Sequence, residues 1–198
     1  AFTNRERVIY CGYHGWHDWY IGTTTRNSGV PATVQNLTSS FTYNDIDSLE
    51  VIFKQYPDEV ACVIMEAVGV EMPQSNFLAN VKELAQQYGA LLIFDEIING
   101  FRIAPGGAQE LENVMPDLAC FGKSIANGMP LSAVVGRREI MEIFDDIFFS
   151  GTFGGEAASL AACKATLEYI EKHSALEKNW DYGRKLSTKI KQLIKQHG

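Results

Sequence analysis

What the 198-residue sequence lacks narrows it first. It has no Cys-x-x-Cys pair; its four cysteines, Cys11, Cys62, Cys120 and Cys163, stand far apart. Three of them lie inside apolar runs, which favours buried free thiols in a reducing, cytoplasmic compartment over a disulfide framework. No apolar run approaches the ~20 residues needed to span a bilayer, and no signal-peptide pattern opens the chain, so no membrane partner is expected. Positive charge is in the minority, with 17 Lys and Arg against 24 Asp and Glu, a formal net charge of −7. That balance argues against nonspecific binding to nucleic acid or to an anionic surface. Repeats, low-complexity tracts and a linker between domains are missing as well.

What is present is a succession of short apolar runs rich in β-branched residues. Strands are expected at residues 8–11, 33–37, 61–65, 90–94, 118–121 and 132–135. Helical periodicity lies between several of them. Residues 45–55 place Ile46, Leu49, Ile52 and Phe53 on one face, and residues 76–88 do the same with Phe77, Val81, Leu84 and Ala85 behind a capping Asn76. Helices over 137–144 and the Ala-rich 156–171 follow. Alternating elements, with strands apolar on both faces, predict an α/β domain with a mainly parallel sheet and flanking helices. Residues 174–197 differ: Leu176, Trp180, Leu186, Ile190, Leu193 and Ile194 recur at three- and four-residue steps, giving an amphipathic helix with a basic outer face. It either docks on its own core or connects to a further domain.

In open α/β sheets, ligands bind at the carboxyl ends of the strands, so polar residues just past an apolar run carry most weight. Three stretches qualify: "MEAVGVE" from residue 65, "FDEIINGFR" from residue 94 and "FGKS" from residue 121. Together they bring Glu66, Glu71, Asp95, Glu96 and Lys123 to one rim. A lysine there can be half of a buried ion pair. It can also be a nucleophile, because an amine that attacks an aldehyde must be partly neutral, and a dry, partly cationic pocket promotes that. A pyridinium nitrogen in turn needs an anionic partner to remain protonated, and Asp95 is such an anion at a neighbouring strand end.

Five motifs in series then become informative: "YHG" at 13–15, "EAVGVE" at 66–71, "LLIFDEIINGFR" at 91–102, "PDLACFGKSIANGMPLSAVVG" at 116–136 and "GTFGG" at 151–155. In this order and spacing, the chain resembles the class III pyridoxal-phosphate-dependent aminotransferases, a fold-type I group that includes glutamate-1-semialdehyde aminomutase. The resemblance implies the large-domain fold of those enzymes and pyridoxal 5′-phosphate as cofactor. By position, it implies that Lys123 is the catalytic residue, carrying the cofactor as a Schiff base and shuttling a proton. Asp95 would pair with the pyridine nitrogen, Tyr13 and Ile97 would bracket the ring, and His14 and Thr152 would complete the cofactor site, Thr152 by binding the phosphate from the neighbouring subunit of a homodimer. Glu66 and Glu71 would lie near the substrate.

More ordinary readings stand beside these. Tyr13 and Ile97 can be core residues, and Glu96 can serve structure by bonding nearby backbone or Arg102. His14, His17 and Asp18 lie close in sequence, but without a clear fourth ligand no metal site is expected. The chain departs from the family at Ala67, where Pro is usual, and at Glu156, where an amide is common. The family's Ser/Gly-rich phosphate cup, upstream of "YHG", and its small C-terminal domain are not among these residues. Residues 1–173 are therefore expected to form part of a cofactor-binding large domain, and 174–198 a connector toward a small domain. The expected activity is amino-group transfer between an amino donor and a carbonyl acceptor. Its alternatives are a glutamate-1-semialdehyde 2,1-aminomutase and a noncatalytic fragment that retains the fold.

Overall fold

In the computed structural model, which describes residues 1–197, the apolar runs assemble into one six-stranded sheet. The strands are β1 (Arg7–Cys11), β2 (Thr38–Ser40), β3 (Val60–Met65), β4 (Leu91–Asp95), β5 (Leu118–Phe121) and β6 (Ala133–Gly136). The helices are α1 (Asp18–Ile21), α2 (Ala32–Asn36), α3 (Ile46–Gln55), α4 (Phe77–Gln87), α5 (Ala108–Leu111), α6 (Arg138–Met141), α7 (Ala157–His173) and α8 (Ala175–His197). Spatial order across the sheet is β2-β1-β3-β4-β5-β6. Neighbours run parallel except β5 and β6, which are antiparallel. The mainly parallel α/β architecture is thus the observed one.

Burial explains the strand composition. Ile9, Val63, Met65, Leu92 and Phe94 have no exposed surface, and α3 and α4 supply Leu49, Phe53, Val81 and Ala85 to the same core. Each such large side chain contributes about 1.5–3 kcal/mol when taken from water. The ring of Phe53 stacks on Tyr88 at 4.6 Å. Asp45 starts α3 by accepting the Ser48 N–H, while the Ser48 hydroxyl returns a bond to the Asp45 carbonyl. All four cysteines are free thiols. Burial above all pushes the thiol pKa up to about 11 in Cys11, about 12 in Cys62 and about 11 in Cys120.

The structure corrects the expectation at three places. Residues 33–37 are not a strand: α2 occupies Ala32–Asn36, and the strand is the three-residue β2 just after it. Thr33 and Val34 favour extended structure locally, but the chain must turn here to bring β2 alongside β1. Pro31 opens that turn by accepting the Val34 and Gln35 N–H groups on its carbonyl, and buried Arg7 closes it with a 2.8 Å bond to the Asn36 carbonyl. Asn76 precedes α4 but does not cap it with its side chain; it lies in the left-handed region at φ 63°. The helix expected over 137–144 is a single α-turn, α6, continued as a 3-10 turn over Glu142–Asp145.

Candidate active site

Register sets the site. Cys11 of β1 is level with Met65 of β3, Met65 with Phe94 of β4, and Asp95 with Cys120 of β5. The loops that leave these strands therefore emerge along one edge, carrying Tyr13 and His14, Glu66, Ile97 and Lys123 respectively. Apart from the adjacent Tyr13 and His14, these residues are far apart in sequence, and the parallel sheet makes them neighbours.

Asp95 is the last residue of β4 and is buried. Its Oδ1 accepts the Ile97 N–H at 3.1 Å, and its Oδ2 lies 2.9 Å from His14 Nδ1. The opposite nitrogen of His14, Nε2, lies 3.1 Å from the Cys11 carbonyl. A carbonyl can only accept, so Nε2 carries a proton, and the imidazole bridges the β1 end to the carboxylate of β4. His14 is itself buried within an aromatic cage, edge-on to Tyr10 and Tyr20 and tilted against Trp19 at 5.6 Å. Both its nitrogens are engaged, and His17 stacks on Trp16 instead. His14 thus stands behind Asp95, a placement no local signal reveals because the two lie 81 residues apart.

Lys123 follows Phe121 and the extended Gly122, and it adopts a left-handed φ of 44°. A side chain at such a backbone angle costs about 1–3 kcal/mol, which surrounding structure must offset. The 3-10 turn Lys123–Ala126 is anchored by buried Ile125 and Ala126, which pack with Phe121 against Ala162 and Cys163 of α7. Lys123 itself is exposed, so its ammonium carries no burial cost in this chain. It borders a cleft of about 790 Å³, together with Arg102, Ser124, Thr166 and Tyr169; Asp95, His14 and Tyr13 do not line that cleft. Ile97 is half-buried, and a Cβ added at Gly122 would stand 3.5 Å from its Cγ2, so Ile97 lies against the approach to Lys123.

Tyr13 is not a core aromatic. It is 64% exposed, with its ring edge-on to Tyr20 at 5.6 Å. Its N–H donates to Glu66 Oε2 at 3.1 Å, and the Glu66 N–H donates to the Cys11 carbonyl. Beyond Glu66 the chain forms a loop that starts at buried Ala67 and carries the exposed Glu71. Three side chains hold it: Tyr43 donates to the Ala67 carbonyl at 2.7 Å, Asn99 to the Val68 carbonyl at 2.8 Å, and Asn44 brackets Pro73, donating to the Met72 carbonyl and accepting the Gln74 N–H. Burial pushes the Tyr43 phenol well above its ordinary pKa. Tyr43, Asn44 and Asn99 are not among the residues singled out from the sequence; of the three, Asn44 is a residue type whose side chain commonly bonds backbone in a turn.

Glu96 does not bond Arg102. It is fully buried and accepts the Ala108 and Gln109 N–H groups at 3.0 and 2.9 Å, tying the β4 end to α5. Thr152 is exposed in the segment before α7, where Ile147, Phe148, Phe149 and Phe153 are exposed too. Glu156 caps α7 by accepting the Ala158 and Ser159 N–H groups at 2.7 and 2.8 Å; these bonds hold its carboxyl below the usual range. The acid that departs from the family pattern thus occupies its own helix N-terminus.

The chain has known counterparts. Residues 2–198 match the family described as Aminotransferase class-III. The chain belongs to the class III aminotransferases. It is 38% identical, over its whole length, to 3-aminobutyryl-CoA aminotransferase of Cloacimonas acidaminovorans (strain Evry), covering 49% of that protein. It is 36% identical over 99% of its length to glutamate-1-semialdehyde 2,1-aminomutase of Sulfurihydrogenibium azorense, covering 50% of it. The solved structure of the PLP internal aldimine form of the Sphingopyxis sp. MTA144 FumI protein superposes with a TM-score of 0.91 at 30% identity, over 99% of this chain and 49% of that one. The chain therefore spans about half the length of the class III relatives it matches.

Proposed function

We propose that the protein transfers an amino group between an amino donor and a carbonyl acceptor (an aldehyde, keto acid or keto sugar), with pyridoxal 5′-phosphate held at Lys123. The observation that carries this reading is the pairing of two strand ends: Asp95, fixed by His14 and the Ile97 N–H, sits on the strand beside the one that leads into Lys123. The residues present suit the cofactor. A buried, oriented carboxylate matches a protonated ring nitrogen, an exposed primary amine matches an aldehyde, and an exposed tyrosine ring offers a face for stacking.

When bound, the cofactor supplies an electron-withdrawing ring that stabilises negative charge at the donor carbon bearing nitrogen. Asp95 would hold the proton on the ring nitrogen, and His14 would hold Asp95. Tyr13 and Ile97 would bracket the ring, and the Thr152 hydroxyl would meet the phosphate. The Lys123 amine would hold the cofactor and shuttle the proton taken from the donor Cα. Glu71 and Glu66, on the loop after β3, would be the carboxylates nearest the substrate.

In this reading the enzyme is a cytoplasmic homodimer with shared active sites. The exposed aromatic residues around Thr152 support a subunit contact there, and the free thiols support a reducing compartment. Residues 1–173 would belong to the large domain and 174–198 to a connector, which the uncovered Leu186, Ile190, Leu193 and Ile194 on α8 support. The relatedness to an aminomutase keeps a second reading, in which both half-reactions act on one substrate skeleton.

The test is spectroscopic. Full-length protein with added pyridoxal phosphate is expected to show a visible absorbance band that Lys123→Ala abolishes. A band that survives in the variant overturns the Lys123 assignment, and no band in either protein supports a noncatalytic fold. Product analysis with glutamate 1-semialdehyde separates the aminomutase from an aminotransferase.

A further inference from the structure

We infer that Glu66 is a positioning residue that acts on the cofactor through Tyr13, by accepting the Tyr13 backbone N–H. This rests on the proposed function, in which Tyr13 stacks on the cofactor ring. Tyr13 has little else to fix it. Its side chain is mostly solvent-exposed and touches one aromatic neighbour, Tyr20, edge-on. Its backbone follows Gly12, whose φ of 102° lies where residues with a Cβ rarely go. A turn of that kind needs an external restraint, and Glu66 provides it from the adjacent strand end. The side chain binds the Tyr13 N–H, and the Glu66 N–H binds the Cys11 carbonyl, so one residue grips the chain on both sides of Gly12.

The positive φ already favours glycine at position 12, and the packing beside it agrees. A Cβ at position 12 would stand 2.7 Å from Glu66 Oε2 and 3.3 Å from its Cγ. The carboxylate thus fills the space a side chain would need, and the turn is shaped around it. An oxygen already committed to a backbone N–H in this turn serves to hold Tyr13 in place. The function of Glu66 then depends on its being a hydrogen-bond acceptor, which glutamine can also be, and not on its charge.

The experiment uses full-length protein and reads the dissociation constant for pyridoxal phosphate from the visible band, with the melting temperature as a folding control. Glu66→Ala is expected to weaken cofactor binding about tenfold, the order of one lost hydrogen bond. Glu66→Gln is expected to stay within about twofold of the wild-type cofactor affinity. In a Tyr13→Ala background the Glu66→Ala effect should vanish, because the group being positioned is gone. Gly12→Ala, which crowds the turn while Glu66 remains, should weaken binding as Glu66→Ala does, and it carries the test if Glu66→Ala fails to fold. Wild-type affinity in Glu66→Ala overturns the inference. So does an equal rise in KM for Glu66→Gln and Glu66→Ala at unchanged cofactor affinity, which would assign Glu66 a charge role toward substrate. Absence of a Lys123-dependent band in the wild type would instead defeat the proposed function itself.

Discussion

One residue beyond Asp95, the side chain of Glu96 has no exposed surface and yet holds two backbone N–H groups of the loop into α5. Burial raises its pKa, and the two N–H bonds work against that rise. Glu96→Ala would leave both donors without a partner in a buried site, at about 1–3 kcal/mol each. A loss of about 2–6 kcal/mol is therefore expected, measured as a lower urea midpoint. The sign of its pH dependence follows from the raised folded-state pKa. Its contribution to stability is fully present below the ordinary glutamate value of about 4.3 and declines as pH rises through the folded value. Glu96→Gln cannot titrate, so the stability gap between wild type and this variant should narrow as pH rises. A gap independent of pH would refute the assignment. At this scale the sequence was informative about which residues matter and poor about what they touch. Asp95 and Lys123 were legible because they follow apolar runs. The partner of Asp95, His14, was not, because strand register and not spacing brings them together.

The elements show where local preference is overruled. Thr33 and Val34 predict a strand, but the turn that feeds β2 imposes a helix, and the Arg7 bond to Asn36 holds its end. Asn76 has the composition of a cap, but its backbone lies in the left-handed region and its side chain makes no cap bond. Glu156, by contrast, is an effective cap whose carboxyl is held below the usual range by bonds to Ser159 and Ala158. A depressed folded-state pKa means stabilisation that is present above the unfolded value and lost as pH falls through the folded one. Glu156→Ala should therefore lower the melting temperature near pH 7, and the difference should shrink below pH 4. Thermal scans at the two pH values check both parts. Because the carboxylate already engages the first free N–H groups of α7, those groups are not left for an outside anion.

Across the whole molecule, stability is unevenly distributed. β3 and β4 lie inside the sheet, with Val63, Met65, Leu92 and Phe94 fully buried. Helix α8, 23 residues long, buries none of its side chains; its Trp180 Nε1 reaches the Ile103 carbonyl at 3.3 Å. Hydrogen exchange of the 198-residue chain should find the slowest amides in β3 and β4 and the fastest helical amides in α8. Protection of α8 equal to that of α4 would contradict this. The alternation of apolar runs and amphipathic segments was enough to determine the α/β class and the parallel sheet, because both depend on local periodicity, which the chain carries in itself. The resemblance to the class III aminotransferases came instead from the residues of five motifs in series. Only the tertiary structure decided that His14 stands behind Asp95, that Glu66 grips the Tyr13 turn and that Glu96 staples α5. The first two contacts join segments far apart in sequence, and their geometry exists only once parallel strands are in register; the third needs the loop after β4 to fold back on its own end.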